Sequence, residues 1–154
     1  MYANTEYVTI VCTRDAEDGV SVDQQVTYIK GVFLERHQGG QTYKNGLVTS
    51  DNATLFISSQ AKATDAYSGS EKEFIAYQEY VAMQDNSNFW TLLIDGIDAG
   101  SCFFVVGKVP VTANNGVLDY ATLRKTYADC YRVTGFDKYN AGRRLESYLR
   151  VGAR

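Results

Sequence analysis

Residues Gln25–His37 read QVTYIKGVFLERH. Apolar and β-branched residues alternate along this stretch, the period of an extended chain whose successive side chains leave opposite faces. The alternation predicts Val26, Tyr28, Val32 and Leu34 on one face and Ile29 and Phe33 on the other, so both faces need cover. Gly31 lies in the middle, where glycine marks a bulge or bend. A long strand bent once is able to serve two sides of a closed sheet.

The same period recurs outward in both directions. Tyr7–Thr13 (YVTIVCT) sets Val8, Ile10 and Cys12 opposite Thr9, Val11 and Thr13. Further strands are expected at Ala53–Ile57, Phe89–Ile94, Cys102–Val106, Cys130–Phe136 and Ser147–Val151. The predicted class is all-β: a small closed or partly open β-barrel of about six to seven strands, with long loops and one or two short helices, because open sheet edges invite aggregation. With no repeat, linker or low-complexity tract, residues 1–154 are expected to form a single domain.

Two segments interrupt the strands. Gln38–Asp51 (QGGQTYKNGLVTSD) carries a glycine pair and an Asn45-Gly46 turn signal, predicting a loop or a protruding hairpin. Ser58–Lys72 is small and polar and is expected on the surface. Phe74, Tyr77 and Val81 follow at helical spacing behind Ser70 and Glu73, a capping-box start, and a second helix is expected near Tyr120–Ala128.

The sequence offers little catalytic hardware. His37 is the single histidine, and no spacing supports a triad around it, so it reads as structural or superficial. Asp95 and Asp98 lie in a glycine-rich turn lacking the alternating ligands and terminal glutamate of a calcium loop. Paired Cys or His at metal spacing and phosphate-binding glycine motifs are both missing, and no enzyme activity, cofactor or metal is expected. Cys12, Cys102 and Cys130 are odd in number and far apart, which predicts three buried free thiols and a reducing compartment. No apolar stretch is long enough to cross a bilayer, and the N-terminus lacks a secretory pattern, so no membrane partner is expected.

Charge is divided unequally. Ala121–Arg154 holds 8 Lys+Arg against 3 Asp+Glu, while the remaining residues hold 7 against 15, so a basic end of +5 faces an acidic −8. Such asymmetry is evidence about association and not about fold. Arg143, Arg144, Arg150 and Arg154 have three readings: solvated surface charges, clamps on acidic groups of a neighbouring subunit, or the lining of a DNA passage. The twelve tyrosines fit either a stacking platform for nucleic acid or sugar, or an oligomeric β-domain, since tyrosine favours strands and interfaces.

Three pieces carry a resemblance. Gly31-Val32-Phe33 lies within an early strand. Phe89-Trp90-Thr91-Leu92 leads through Gly100 to Phe103-Phe104-Val105-Val106-Gly107. Tyr131-Arg132-Val133-Thr134-Gly135-Phe136-Asp137 closes with Gly142, Leu145 and Tyr148-Leu149-Arg150-Val151. Together they resemble the small head-completion proteins of tailed bacteriophages, the stoppers or head-to-tail connectors. The resemblance implies a minor capsid protein of the virion neck, assembled in the host cytoplasm as a homo-oligomeric ring. Its neighbours would be the portal or adaptor protein on one side and the tail terminator or tail tube protein on the other, with nonspecific contact to packaged double-stranded DNA. The two polar segments then become candidate interface or lumen loops, through Gln41, Tyr43, Lys44 and Asn45 in the first and Lys62, Tyr67 and Lys72 in the second. A tail terminator or other minor virion protein, and a soluble β-barrel ligand-binding module, remain alternatives.

Overall fold

The computed structural model describes residues 7–15, 22–43, 46–75, 77–85, 87–92, 102–111, 118–139 and 148–154. These form a mainly β fold. In chain order the elements are β1 (Tyr7–Asp15), β2 (Val22–Tyr43), β3 (Gly46–Asp65), β4 (Glu71–Phe74), α1 (Tyr77–Ala82), β5 (Phe89–Trp90), β6 (Cys102–Val106), α2 (Tyr120–Thr126), β7 (Cys130–Tyr139) and β8 (Tyr148–Ala153). Strands β2, β1, β6, β7, β8 and β3 pair antiparallel in that order, and β3 pairs back onto β2. Pairing therefore closes on itself, although the six strands are not spread evenly round an axis. The short parallel pair β4 and β5 hangs from β3.

Gly31 marks an irregularity in the β2–β3 pairing. Its φ is +88°, a region open to glycine, and the β2–β3 register shifts there: Lys30 faces Lys62, but Val32 faces Ile57. The bulge also corrects the expected faces. Before it Val26 packs on one side of the sheet and Ile29 on the other, as alternation predicts. After it the phase inverts, so Val32 and Leu34 join Ile29, while the Phe33 ring meets Phe56 at 6.0 Å. One absorbed residue exchanges the faces of everything downstream.

The main core lies inside the ring and includes Val8, Ile10, Ile29, Leu55, Leu92, Phe104 and Val151. A second cluster, with Val11, Val26, Phe103, Val105, Val109, Leu123 and Cys130, lies on the outer face under α2. β1 thus buries both its faces, as its sequence demands. Asp119 caps α2 by accepting the backbone N–H of Thr122 at 3.1 Å, and Leu123 anchors the helix to the sheet.

Three further expectations need correction. Ser58–Lys72 is not a loop throughout, because β3 runs through it to Asp65; among its described residues Ala63 and Lys72 are buried, while Lys62 and residues 67–71 are exposed as expected. Ala61 and Ala63 are small because they pack against the core, and Gly31 lies beside Ala61. The first helix is shorter than predicted, since Glu73 and Phe74 belong to β4 and its capping box does not form. Phe74 is held instead by ring contacts with Trp90 at 4.9 Å and Phe136 at 5.9 Å, so tertiary packing overrides a helical spacing. Finally, Cys12 and Cys102 are not free thiols. They face each other in the β1–β6 register, with Cα atoms 4.2 Å apart, and are joined as a disulfide. Cys130 is free and buried, as expected.

Candidate functional site

Beyond the pair Arg36 and Ala53, β2 and β3 continue with no third strand paired to them among the described residues. Seven register pairs, from His37 with Asn52 to Tyr43 with Gly46, form a two-stranded ribbon, whereas β8 pairs with β3 only from Ala53 to Ser58. At about 3.4 Å per residue the ribbon extends roughly 20 Å past the ring. Of the two forms the Gln38–Asp51 sequence allowed, the structure adopts the protruding hairpin. Gln41 faces Val48 and Tyr43 faces Gly46, while Lys44 and Asn45 lie outside the described residues. Within the seven ribbon pairs Asp51, opposite Gln38, is the one Asp, Glu, Lys, Arg or Pro, the residues that usually discourage edge pairing.

Where the ribbon meets the ring, Arg36 Nη2 lies 2.6 Å from Asp129 Oδ2, and the Tyr131 hydroxyl donates to Asp129 Oδ1 at 3.1 Å. At the opposite end, Gln25 Nε2 donates to the Phe89 carbonyl at 2.9 Å and to the Tyr80 hydroxyl at 3.1 Å. Both ends of the core are thereby tied by polar side chains.

A cavity of about 480 Å³ opens beside β3. It lies where β3 changes neighbour on one edge, from β8, which ends at Ser58, to β4, which begins at Ala63. Ile29, Ile57, Phe74, Trp90 and Leu149 supply apolar lining, and Lys62, Lys138, Glu71 and Glu73 supply charge. Lys62 is exposed, but Lys72 is buried, with its ammonium 2.7 Å from Asp65 Oδ1 and 3.4 Å from Thr27 Oγ1. Burial opposes charge on Asp65, yet hydrogen bonds from Lys72 and Ser68 and the nearby ammonium outweigh it and hold the carboxyl below its ordinary value. Tyr67 is 46% exposed in the turn after β3, with its N–H donated to Asp65. The cavity thus brings Lys62 and Lys72 together and leaves Tyr67 outside its lining.

The arginines lie elsewhere. Arg150 is exposed on β8, between Phe56 of β3 and Asp137 of β7 in the register. Arg154 exchanges two backbone bonds with Arg132, at 2.7 and 2.9 Å. Arg143 and Arg144 lie outside the described residues, as do Asp95 and Asp98, and His37 stands at a ribbon position. Sequence reasoning passed over Arg132 and Arg124 within the basic segment. The Arg132 guanidinium lies 4.3 Å from the Tyr120 ring centroid, and Arg124 lies 5.8 Å from the same centroid. Nothing in spacing pairs a helix tyrosine with a strand arginine, so no sequence signal existed for that contact.

Among the described residues no group of three or more His, Cys, Asp or Glu is arranged to hold a metal, and no helix is long and apolar enough to cross a membrane. No curated protein and no solved structure matches the chain. A family profile does match, over residues 3–154, and the chain belongs to that family of unknown function, DUF6751.

Proposed function

For this member of a family of unknown function, we propose a structural role in the neck of a tailed bacteriophage. Copies of the chain form a ring between the portal or adaptor and the tail, complete the head, and help to retain or pass DNA. In this reading the closed pairing of six strands acts as a small barrel. The observation that carries it is the ribbon from His37 to Asn52, whose strands pair only with each other among the described residues. An isolated two-stranded ribbon is at best marginally stable in water, so a neighbouring copy or lumen partner gives it a purpose. The opposed charges of the two parts of the chain favour association in the same direction.

Immunogold electron microscopy on particles, with antibody against this chain, tests the proposal. Gold at the head-to-tail junction supports it, and its position relative to the tail tube separates a stopper from a tail terminator. Particles without label remove it. Replacing residues 38–51 by a short turn is expected to abolish DNA retention while leaving the ring of strands folded. A second reading, a ligand-binding module, is favoured by the cavity lined by Trp90 and Phe74. A glycan array that finds a ligand lost in Trp90→Ala would favour that module.

A further inference from the structure

Two kinds of contact recur among the described basic side chains. Arg36 and Lys72 each meet an aspartate, Asp129 and Asp65 respectively. A second set meets tyrosine rings: Lys108 lies 4.4 Å from the Tyr7 centroid and 5.3 Å from that of Tyr28, Lys30 lies 5.7 Å from Tyr7, and Arg132 and Arg124 approach Tyr120. A carboxylate cancels a charge, whereas a ring holds the cation in place and leaves its charge intact.

These cations share one side of the molecule. Tyr7 faces Lys30 in the β1–β2 register, Phe103 faces Arg132 in the β6–β7 register, and α2 packs between them over the outer cluster. Lys30, Lys108, Arg124, Lys125 and Arg132 are all exposed. The acidic side chain at this helix, Asp119, accepts bonds from Thr122 at its N-cap. On a chain of net charge −3, the described residues here form a positive surface.

We propose that this face, through Lys30, Lys108, Lys125 and Arg132, binds the phosphate backbone of double-stranded nucleic acid without reading its sequence. The proposal rests on the neck reading for the source of the duplex, packaged DNA, and on nothing else in it. Two features select this partner. Among the described residues the aliphatic side chains at the centre of the face, Val109 and Leu123, are already buried, so they offer little of the hydrophobic centre that a protein interface needs. The rings of Tyr7, Tyr28 and Tyr120 carry cations, which leaves them poorly placed to stack on the unpaired bases of a single strand. Guanidinium and ammonium groups held by rings offer their remaining N–H donors to phosphate oxygens.

The test is fluorescence anisotropy of the purified full chain with a labelled duplex of about 30 base pairs, between about 50 and 200 mM salt. Neutralising about four phosphates predicts a log–log slope of about −3.6, or roughly a 100-fold loss of affinity over that range. The double variant Lys108→Gln/Arg132→Gln is expected to bind more weakly and to flatten the slope by about 2. Lys138→Gln, at the cavity, is expected to leave binding unchanged, and matched unfolding midpoints exclude misfolding as the cause. No duplex binding at the lowest salt, an unchanged slope in the double variant, tighter binding of a single strand, or equal binding of polyglutamate would each overturn the proposal. Gold labelling of the neck without duplex binding would reject this face alone. Duplex binding without neck labelling would reject the neck reading and retain the face.

Discussion

Arg36 and Asp129, 93 residues apart in sequence, form a 2.6 Å ion pair that joins the base of the ribbon to the start of β7. Arg36 follows Val32 and Leu34 in the alternation, so the hydrophobic run facing the core ends in a charge where the ring ends. The side chains are 50% and 23% exposed, and the pair is correspondingly screened. Removing either partner is expected to cost about 1 kcal/mol. Urea denaturation of Arg36→Ala, Asp129→Ala and the double variant measures the coupling, which should shrink in high salt. Asp129→Ala should cost the more, because it also removes the acceptor to which the Tyr131 hydroxyl donates.

Lys72 presents a sharper case. Its ammonium is enclosed, and Lys72→Ala removes both the Asp65 partner and the packing of a long aliphatic stem. A loss of about 3 kcal/mol is expected for Lys72→Ala, and less for Lys72→Met, which retains the stem. The Asp65 carboxyl is held below its ordinary value in the folded chain. Its contribution is therefore full above the unfolded-state value near 3.8, and is lost as the pH falls through the lower folded value. Stability measured from pH 6 downward, about two units above that value, should fall less steeply in Lys72→Met than in the parent.

Thiol counting separates the three cysteines. Burial pushes the Cys130 thiol up to about 11, against the pull of Arg124 and Arg132, so the native protein should react slowly with Ellman's reagent at neutral pH. Unfolding without reductant should release one thiol, and unfolding with reductant three. A count of three without reductant would contradict the Cys12–Cys102 bond. Closing a loop with a sequence separation of 90 is worth up to about 4.6 kcal/mol on the chain-entropy view, so Cys12→Ser/Cys102→Ser should lower the unfolding midpoint markedly.

Gly31 offers a test of the bulge. A Cβ built there would meet Ala61 atoms at 3.8 and 4.0 Å, which is ordinary contact, so space is available. The cost of Gly31→Ala then comes from φ at +88° and should be about 1–2 kcal/mol. A neutral result in thermal unfolding would mean that β2 can relax its register without loss.

Much of the β architecture was legible because half-buried strands write their period into the sequence: Tyr7–Thr13, Cys102–Val106 and Cys130–Phe136 all fall within observed strands. Gly31 announced a bulge, but alternation alone does not tell how many residues the bulge absorbs, so the faces of Val32, Leu34 and Phe33 came out inverted. Phe74 satisfied a helical spacing locally, and only Trp90 and Phe136, distant in sequence, decide against it. Cys12 and Cys102 become neighbours solely through strand register. At the candidate sites, charge alone singled out Arg150 and Arg154 in the sequence, whereas the ring contacts of Lys108 and Arg132 are set by the fold.

Ile29, Leu55, Leu92, Phe104 and Val151 form one packed cluster shared by the strands of the closed pairing and their neighbours. A thread as thick as a nucleic-acid duplex cannot run down the middle of one copy. If the chain encircles such a thread, the axis of the hole lies outside every subunit, and its width is fixed by how many copies stand around it rather than by how many strands each contains.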